Sequence, residues 1–311
     1  MNNPFGFLII DKPAGMTSHD CVNVIRKVFK IKRVGHGGTL DPAVTGVLPI
    51  AVGNATRLFQ YLPREKTYTA IIQLGKQTYT DDMNGEIIFE KEWPILNECF
   101  LEDILNNNFK GNIQQKPPLI SSVHFQGERA YKKARRGEKF DLPIREITIH
   151  KLQVCSWDQE TGQLKLIIHC SSGTYIRSLA RDLGEKLNCG GHLLRLHRTQ
   201  TQGFFENQSI SLPKFNNEIE PTPLLINPRK ALKHLNEIKL LSKEQLECWR
   251  KGQQLKISEQ ISNNFQSQEG LNLNNLSKYL VVVDHNNELA GIGELSTSSL
   301  LQPKVVFNAY S

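Results

Sequence analysis

The stretch of this chain that most constrains its fold is residues 35–46, which read GHGGTLDPAVTG. Glycines at 35, 37 and 38 permit positive φ and a close approach of other backbone, and Pro42 biases Asp41 toward an extended conformation. The apolar, β-branched segment 47–53 follows and predicts a buried strand. The pattern therefore predicts a shaped turn that presents the Asp41 carboxylate from a packed scaffold, where functional side chains commonly lie.

Other interpretations apply to this turn. A phosphate-binding P-loop needs a Lys followed by Ser or Thr after the last glycine, and the run lacks that pair. A metal site is not indicated, because no second His or carboxylate follows His36 and Asp41 at ligand spacing. An Asp before a Pro is also a common turn former without a chemical role. From these residues alone the last interpretation stays open. Only motifs elsewhere in the chain can decide whether Asp41 has a chemical role.

The composition is that of a globular protein with a polyanionic partner. The chain has 311 residues, enough for one large domain and a small one, with 39% hydrophobic residues and a formal net charge of +7. No apolar run reaches the length of a transmembrane helix, and residues 7–10 are too short for a signal peptide, so we expect a cytosolic protein without membrane contact. The six cysteines form no CxxC pair, which predicts neither a zinc site nor disulfides.

Basic residues gather in two clusters. The first leads into the glycine-rich run and comprises Arg26, Lys27, Lys30, Lys32 and Arg33. The second comprises Arg129, Lys132, Lys133, Arg135, Arg136 and Lys139. Within it, positions 129, 132, 133 and 136 would share one face of a helix. Each cluster alone is equally compatible with a solvated surface. Together, beside a candidate active-site turn, they favour contacts with RNA or DNA phosphates.

Local patterns of apolar residues predict an α+β chain. The predicted strands are residues 7–10, 47–53, 68–74 and 164–170. The predicted helices are one that begins at Thr17 or Ser18 and ends before Gly35, one within 84–110, and one from 176 that stops at 189–191. These elements interleave without a regular βαβ rhythm, which favours α+β over a doubly wound sheet.

The tail, residues 237–311, predicts a compact β-rich module. Its predicted strands are residues 279–283, 289–293 and 304–307. The stretch at 257–277 is rich in Ser, Asn and Gln and predicts a mobile loop within the module.

Four short segments can be set side by side: DKPAGMTS at 11–18, the run at 35–46, KTYTA at 66–70 and GTYIR at 173–177. In this order and spacing they resemble the tRNA pseudouridine-55 synthases of the TruB family. The resemblance covers essentially the whole chain. Residues 116–137 are similar to an RNA-gripping insertion of that family, at about 115–145 here, and the tail resembles the bacterial form of the small PUA RNA-binding module. It implies a pseudouridine synthase catalytic domain at 1–236, with a mixed, largely antiparallel central sheet, and a PUA-like module at 237–311.

The resemblance also implies an activity. Members isomerise a uridine in the T loop of tRNA, at position 55, to pseudouridine by base flipping, without cofactor or metal. The implied partner is the tRNA T stem-loop, and the family default is a monomer. A non-catalytic RNA-binding protein on the same scaffold is an alternative, against which the joint presence of Asp41, Tyr68 and Arg177 argues. A synthase that needs a guide RNA is another, against which the bacterial-type insertion and tail argue.

The chemistry points to the predicted catalytic residues. Moving C1′ of the ribose from N1 to C5 of the base needs a group that attacks or stabilises an electron-poor carbon, and a carboxylate suits C1′ or C6. Asp41 matches the catalytic aspartate of the family. A carboxylate in an apolar pocket needs a cation, and Arg177 matches the family residue in that role. Tyr68 matches the aromatic residue that stacks on the target base and is linked to proton removal at C5. Attack at C1′, attack at C6 and stabilisation of a glycal all stay open.

The remaining predicted residues bind substrate. His36 matches the residue that fills the space of the flipped base, Asp82 matches an aspartate that contacts the substrate loop, and Leu196 matches the apolar side chain at the uracil edge. Tyr175, in the GTYIR segment, is also assigned to substrate binding. The predicted phosphate contacts of the insertion are Arg129, Lys132, Lys133 and Arg136. The chain departs from most relatives at Tyr79, Ser122 and His124, which puts individual RNA contacts near these positions in question.

Overall fold

The computed structural model describes residues 4–213, 222–257, 278–296 and 300–309. The predicted mobile loop at 257–277 lies outside these residues except for Ile257, which is buried. In chain order, the strands are β1 (Gly6–Lys12), β2 (Val34–His36), β3 (Thr45–Val52), β4 (Lys66–Leu74), β5 (Lys76–Thr78), β6 (Ile87–Glu90), β7 (Gly111–Gln115), β8 (His124–Phe125), β9 (Glu128–Arg129), β10 (Arg145–Asp158), β11 (Gln163–Cys170), β12 (Gly191–Thr201), β13 (Phe204–Phe205), β14 (Ile210–Ser211), β15 (Glu237–Lys239), β16 (Leu255–Lys256), β17 (Tyr279–Val283), β18 (Leu289–Leu295) and β19 (Leu300–Val306). The helices are α1 (Ser18–Phe29), α2 (Glu98–Phe109), α3 (Ala130–Arg135), α4 (Ile176–Lys186), α5 (Pro228–Ala231) and α6 (Lys243–Arg250), and 3₁₀ segments occupy Gly53–Tyr61 and Glu206–Gln208.

A large mixed sheet forms the first part of the chain. Its strand order among the described residues is β14-β1-β3-β12-β4-β11-β10-β7, with β2 paired to β3 and β13 to β12. The β1–β14 and β3–β12 pairs are parallel and the other pairs are antiparallel. Only two residue pairs join β3 to β12, His197 with Thr45 and Arg198 with Gly46. The predicted α+β class with a mixed, largely antiparallel sheet is confirmed.

Alternating side chains on the central strands build the main core. Along β4, Tyr68, Ala70, Ile72 and Leu74 are all buried, as the alternation predicts. They pack with the buried residues of β11 and with the apolar faces of α2 and α4. The helix α4 therefore lies directly over the strand that carries Tyr68.

The helix α1 begins and ends through local signals. Thr17 is the N-cap, and its side chain and that of Asp20 form a reciprocal capping box. Lys30 ends the helix in the left-handed conformation, at φ 53°. The helix buries Cys21 and Ile25 against β1 and β3. The segment at 11–18 is therefore held by β1 at its start and by α1 at its end.

The basic insertion differs from its prediction. Helix α3 covers only Ala130–Arg135, so Arg129 is its N-cap in an extended conformation and Arg136 is its C-cap. Arg129 is extended because it pairs with His124 in the β8–β9 hairpin, and Gly137, at φ 72°, ends the segment. The prediction of one helical face for positions 129, 132, 133 and 136 is therefore wrong.

The described tail residues form a second sheet, in the order β15-β17-β18-β19-β16. Trp249 of α6 is fully buried in its core, and the indole N–H donates to the Ala290 carbonyl at 2.9 Å. This curled β-rich unit agrees with the predicted PUA-like module. Its strand β19 begins at Leu300, earlier than the predicted start at 304.

The second sheet packs on the first through a shared apolar cluster. This cluster includes Phe7 and Leu58 from the first part of the chain and Val281 and Phe307 from the tail. The rings of Phe5 and Phe307 meet edge to face, with centroids 4.9 Å apart. The tail module is thus fixed to the strand β1 side of the large sheet.

Candidate active site

Asp41 lies in the turn between β2 and β3, and contacts from both sides fix this turn. The Gly37 N–H donates to the Pro49 carbonyl at 2.8 Å, and Gly38 adopts φ 118°, which favours glycine. The Ser18 hydroxyl accepts a hydrogen bond from the Leu40 N–H at 2.9 Å. The Asp41 side chain is 48% exposed, so an external molecule can reach its carboxylate.

The segment at 11–18 supports the same turn through a buried lysine. The Lys12 side chain is fully buried, and its ammonium donates to the carbonyl oxygens of Pro13 (2.8 Å), Met16 (2.6 Å) and Pro42 (3.1 Å). Burial lowers the pKa of Lys12, and the neighbouring Cys21 and Asp41 oppose this shift. Lys12 therefore connects Pro42, the residue after Asp41, to the turn at Pro13–Met16 through hydrogen bonds. The sequence pattern did not predict this role.

Arg177, near the start of α4, connects the separate parts of the site. Its Nη2 atom lies 3.0 Å from Asp41 Oδ2, and its Nη1 atom lies 3.7 Å from Asp82 Oδ2. Nη1 also donates to the Thr80 carbonyl (3.2 Å) and Nη2 to the Ile120 carbonyl (3.0 Å). The Arg177 side chain is 9% exposed. The structure thus brings together three predicted site residues, Asp41, Asp82 and Arg177, through the two Nη atoms of one planar guanidinium.

A second arginine–aspartate pair lies one turn further along α4. Arg181 Nη1 is 2.9 Å from Asp81 Oδ2, and Arg181 Nη2 is 2.7 Å from Asp182 Oδ1. Asp81 is buried and has a left-handed backbone, at φ 59°. Burial raises the pKa of Asp81 to about 6, although Arg181 and Arg177 oppose the shift. Sequence reasoning missed this pair; the four-residue spacing of the two arginines was the available signal.

Tyr68 lies on β4 beside a buried arginine of β12. Tyr68 is 5% exposed and Arg198 is fully buried. The Arg198 guanidinium donates to the carbonyls of Val47 (2.8 Å) and Gly38 (3.2 Å). Burial raises the pKa of the Tyr68 phenol, and the Arg198 charge opposes part of that shift. The phenol is therefore protonated at neutral pH, and Arg198 joins the Tyr68 strand to the Asp41 turn.

Two adjoining cavities meet at Asp41. The larger, of about 980 Å³, lies where β3 and β12 separate. The predicted residues that line it are Asp41, Asp82, Arg177 and Leu196. The smaller has a volume of about 240 Å³. The predicted residues that line the smaller cavity are Asp41, Tyr68, Tyr175, Arg177 and Leu196. Residues that are distant in sequence therefore share one concave site.

His36 is the last residue of β2, directly before the turn that carries Asp41, and it lines neither cavity. Its Nδ1 atom is buried and has no hydrogen-bond partner among the described residues. Burial and the nearby Arg198 lower the pKa of His36, so its imidazole is neutral at pH 7. His36 is therefore close to Asp41 along the chain without being part of either cavity wall.

The cations of the insertion differ in how they are paired. Arg136 binds Glu128 (2.6 and 2.9 Å) and Glu138 (2.6 Å), and Lys133 lies 3.3 Å from Glu138. Arg129 donates to the Ser122 carbonyl. Lys132 has no ion-pair partner among the described residues. Of the four predicted phosphate contacts, Lys133 and Arg136 are thus already neutralised by carboxylates.

Neither a metal site nor a membrane span is visible in the described parts of the chain. No group of three or more His, Cys, Asp or Glu side chains there is placed to hold a metal ion. No helix within those ranges combines the length and the apolar character needed to cross a bilayer.

Comparison with known proteins gives the family. Residues 26–176 match the model of the TruB family pseudouridylate synthase N-terminal domain, and residues 177–222 match that of the tRNA pseudouridylate synthase B C-terminal domain. The tRNA pseudouridine synthase B of Prochlorococcus marinus (strain NATL2A) is 50% identical over 317 residues, which cover 99% of each chain. That of Synechococcus sp. (strain CC9311) is 51% identical over 314 residues, with the same coverage.

Solved structures share the fold. A chain in an H/ACA RNP bound to a substrate RNA containing 2′-deoxyuridine aligns with a TM-score of 0.68 at 23% identity, over 97% of this chain and 85% of that chain. A chain in a Cbf5-Nop10-Gar1 complex aligns with a TM-score of 0.67 at 23% identity, over 98% and 85%. The family-model matches and the full-length relatives at 50% identity show that this chain belongs to the TruB family of pseudouridylate synthases, isomerases that convert uridine to pseudouridine.

Proposed function

We propose that this protein converts uridine 55 in the T loop of tRNA to pseudouridine, by flipping the base out of the loop and using Asp41 without a cofactor. The observation that carries the proposal is the Asp41 carboxylate, half exposed where two cavities meet and held 3.0 Å from Arg177 Nη2. The names of the full-length relatives support tRNA as the substrate.

The reaction breaks the C1′–N1 bond of a uridine and joins C1′ to C5. A carboxylate can take part by attacking C1′ or C6, or by stabilising a glycal. Asp41 suits each of these roles, because its carboxylate faces the cavities while Arg177 supplies a countercharge and a fixed orientation. Holding the reacting group in one geometry lowers the entropic part of the barrier.

The smaller cavity accepts the flipped base. Tyr68 and Leu196 both line it, so the base can lie between an aromatic ring and an aliphatic side chain, away from water. Tyr175, the N-cap of α4, contributes to the same wall. His36 lies directly before the Asp41 turn and outside the cavity walls, which suits a residue that fills the vacated place in the RNA loop.

Shape and charge guide the RNA to this site. Lys165 and Arg195 line the larger cavity, and the insertion adds Arg129 and Lys132 to the surrounding cations, which suits a folded RNA loop and its stem. We assign residues 1–236 to catalysis and 237–311 to a PUA-like module that contacts more distant tRNA surface. The enzyme acts as a monomer, in the cytoplasm.

Release of tritium from C5-labelled uridine tests the proposal directly, because pseudouridine formation replaces the C5–H bond by a C–C bond. Wild-type protein is incubated with a tRNA transcript, with its T stem-loop alone, and with a transcript that carries cytidine at position 55. We expect release from the first two RNAs and none from the third. No release from wild-type tRNA would leave an RNA-binding protein without this activity, and release from the cytidine-55 transcript would assign a different target uridine.

The variant Asp41→Asn tests the carboxylate. Removing the carboxylate charge should lower the rate of release at least about 10⁴-fold, with tRNA affinity within about threefold of wild type. The matched control is Asp103→Asn, an exposed aspartate of α2 that lines neither cavity, and it should keep wild-type activity. An active Asp41→Asn variant would refute the role of Asp41.

A further inference from the structure

Lys66 lines the smaller cavity and has no role in the reaction as proposed above. It is the first residue of β4, two positions before Tyr68 on the same side of the strand. Its side chain is partly buried and lines the cavity with Asp41 and Tyr68. The Lys66 ammonium has neither a hydrogen bond nor an ion pair with any described residue.

The other cations around this cavity are already engaged. Arg177 is shared between Asp41, Asp82 and two backbone carbonyls. Arg198 donates through Nε and Nη2 to the Val47 and Gly38 carbonyls, and although its Nη1 atom has no partner among the described residues, Arg198 does not line this cavity. Among the described residues that line the smaller cavity, Lys66 is therefore the cation without a partner.

A second polar group points to a ligand at the same place. Ser121 lines the cavity and is 5% exposed, and its hydroxyl has no hydrogen-bond partner among the described residues. Buried polar groups normally find partners in the protein or in water. A cavity that keeps one ammonium and one hydroxyl unpaired is suited to a ligand that offers hydrogen-bond acceptors and negative charge.

The departing base has both properties. In the route through C1′, the Asp41 carboxylate gives an electron pair to C1′ while the C1′–N1 bond breaks, and the electron pair of that bond stays on the base. The uracil is then an anion, with its charge on N1 and the two carbonyl oxygens. C5 next attacks C1′ and displaces Asp41, and the proton that leaves C5 is balanced by one gained at N1. No redox step occurs.

We propose that the Lys66 ammonium stabilises the uracil anion between cleavage of the C1′–N1 bond and formation of the C1′–C5 bond, by donating a hydrogen bond to a carbonyl oxygen of the base. Lys66 is then a catalytic residue, and the inference rests on the proposed function. A fixed cation aimed at charge that develops during the reaction is an efficient catalytic device, because it needs no rearrangement at that moment.

The electrostatics of the cavity agree with this role. Burial and the Arg198 guanidinium lower the pKa of Lys66 to about 8. The charged form of Lys66 is thus penalised in the free protein, where its counterion is missing. An anion that forms within the cavity relieves this penalty, so the interaction is stronger with the departing base than with neutral uridine.

Lys66→Met and Lys66→Arg test the proposal in the full chain. Single-turnover pseudouridine formation at saturating tRNA should fall about 100-fold in Lys66→Met, with tRNA affinity within about threefold of wild type. Lys66→Arg, which keeps the charge, should recover at least about tenfold of that loss. The matched control is Lys110→Met, an exposed lysine after α2 that lines neither cavity, and it should react at the wild-type rate.

A substrate with 5-fluorouridine at the target position separates charge stabilisation from a structural role. Fluorine withdraws electrons and makes the departing base a more stable anion, so the loss in Lys66→Met should shrink at least about tenfold for transfer of C1′ from N1 to C5 in this RNA. This transfer is measured by chromatography and mass analysis of the digested nucleosides, because C5 carries fluorine and has no proton to release. An equal loss with both RNAs, a rate near wild type, or a loss explained by weaker tRNA binding would overturn the role of Lys66. Failure of wild-type protein to form pseudouridine would instead refute the proposed function, so the two failures are distinguishable.

Discussion

Replacing Arg177 by lysine keeps one positive charge but removes the planar fork that joins the parts of the site. The guanidinium contacts Asp41 at 3.0 Å and Asp82 at 3.7 Å, and it donates to two backbone carbonyls at 3.0 and 3.2 Å. A single ammonium cannot reach all four partners from the same position. Arg177→Lys therefore separates the effect of losing the guanidinium geometry from the effect of losing the positive charge.

The magnitude follows from the contacts that are lost. Arg177 is 9% exposed, so each carbonyl that loses its charged donor costs about 1.5 kcal/mol, or about 3 kcal/mol of the free energy of unfolding in total. The ion pair with Asp41 adds under about 1 kcal/mol, because Asp41 is half exposed and screened by water. A loss of about 3 kcal/mol lowers Tm by about 5 °C in a protein of 311 residues. Misplacing the Asp41 carboxylate should lower kcat about 100-fold, or about 2.7 kcal/mol of transition-state stabilisation.

The assay is tritium release from C5-labelled tRNA under saturating conditions, with thermal unfolding measured on the same samples. The matched control is Arg181→Lys, one turn further along α4, which loses a similar fork to Asp81 and Asp182 but lines neither cavity. We expect comparable destabilisation in both variants and a kcat loss below about fivefold in the control. A kcat of Arg177→Lys within about threefold of wild type, or equal losses of kcat in the two variants, would contradict this role of Arg177.

Two further predictions concern pH and salt. Since burial raises the pKa of Asp81 to about 6 from the ordinary value of 3.8, the folded protein binds more protons in this interval, and the Asp81 contribution to stability falls as pH rises from about 4 to 6. The difference in free energy of unfolding between Asp81→Asn and wild type should therefore change by up to about 3 kcal/mol across this window, and a constant difference in urea titrations would contradict it. For salt, Lys132→Ala should lower the slope of log affinity for tRNA against log salt concentration by about one, and Arg136→Ala by less because Glu128 and Glu138 already pair with Arg136. Binding titrations at several salt concentrations check this, and a flat wild-type dependence would rule out the phosphate contacts.

The elements that could be predicted are those whose signals are local. Thr17 and the apolar spacing of α1 lie within one helix, and the alternation of β4 lies within one strand. In contrast, β12 could not be predicted, because register shifts between Leu193 and Arg195 and between Arg198 and Gln200 interrupt its alternation. The β5–β6 hairpin was missed as well, because the β6 side chains are exposed and leave no two-sided pattern.

The same distinction applies to the candidate site. Asp41 and Arg177 could be paired in advance, since a carboxylate in an apolar pocket needs a cation and a family pattern offered one. Lys12 and Arg198 could not, because each is buried by bonds to backbone carbonyls from distant segments, such as Pro42 and Val47. Every residue has a backbone carbonyl, so the sequence does not show which carbonyls will accept these hydrogen bonds. Such supporting residues become visible only when the fold is known.

The apolar cluster shared by the tail module and the large sheet fixes the distance between the module's surface and Asp41. Because Phe7 and Leu58 pack with Val281 and Phe307, the module does not swing freely about a linker, and its surface lies at a set separation from Asp41. Under the proposed function, an RNA that contacts both the module and the Asp41 cavities would present to the carboxylate only a uridine at the matching distance along the folded RNA. Substitutions that weaken the packing of this cluster should therefore lower the selectivity for the target uridine more than they lower the rate of the chemical step.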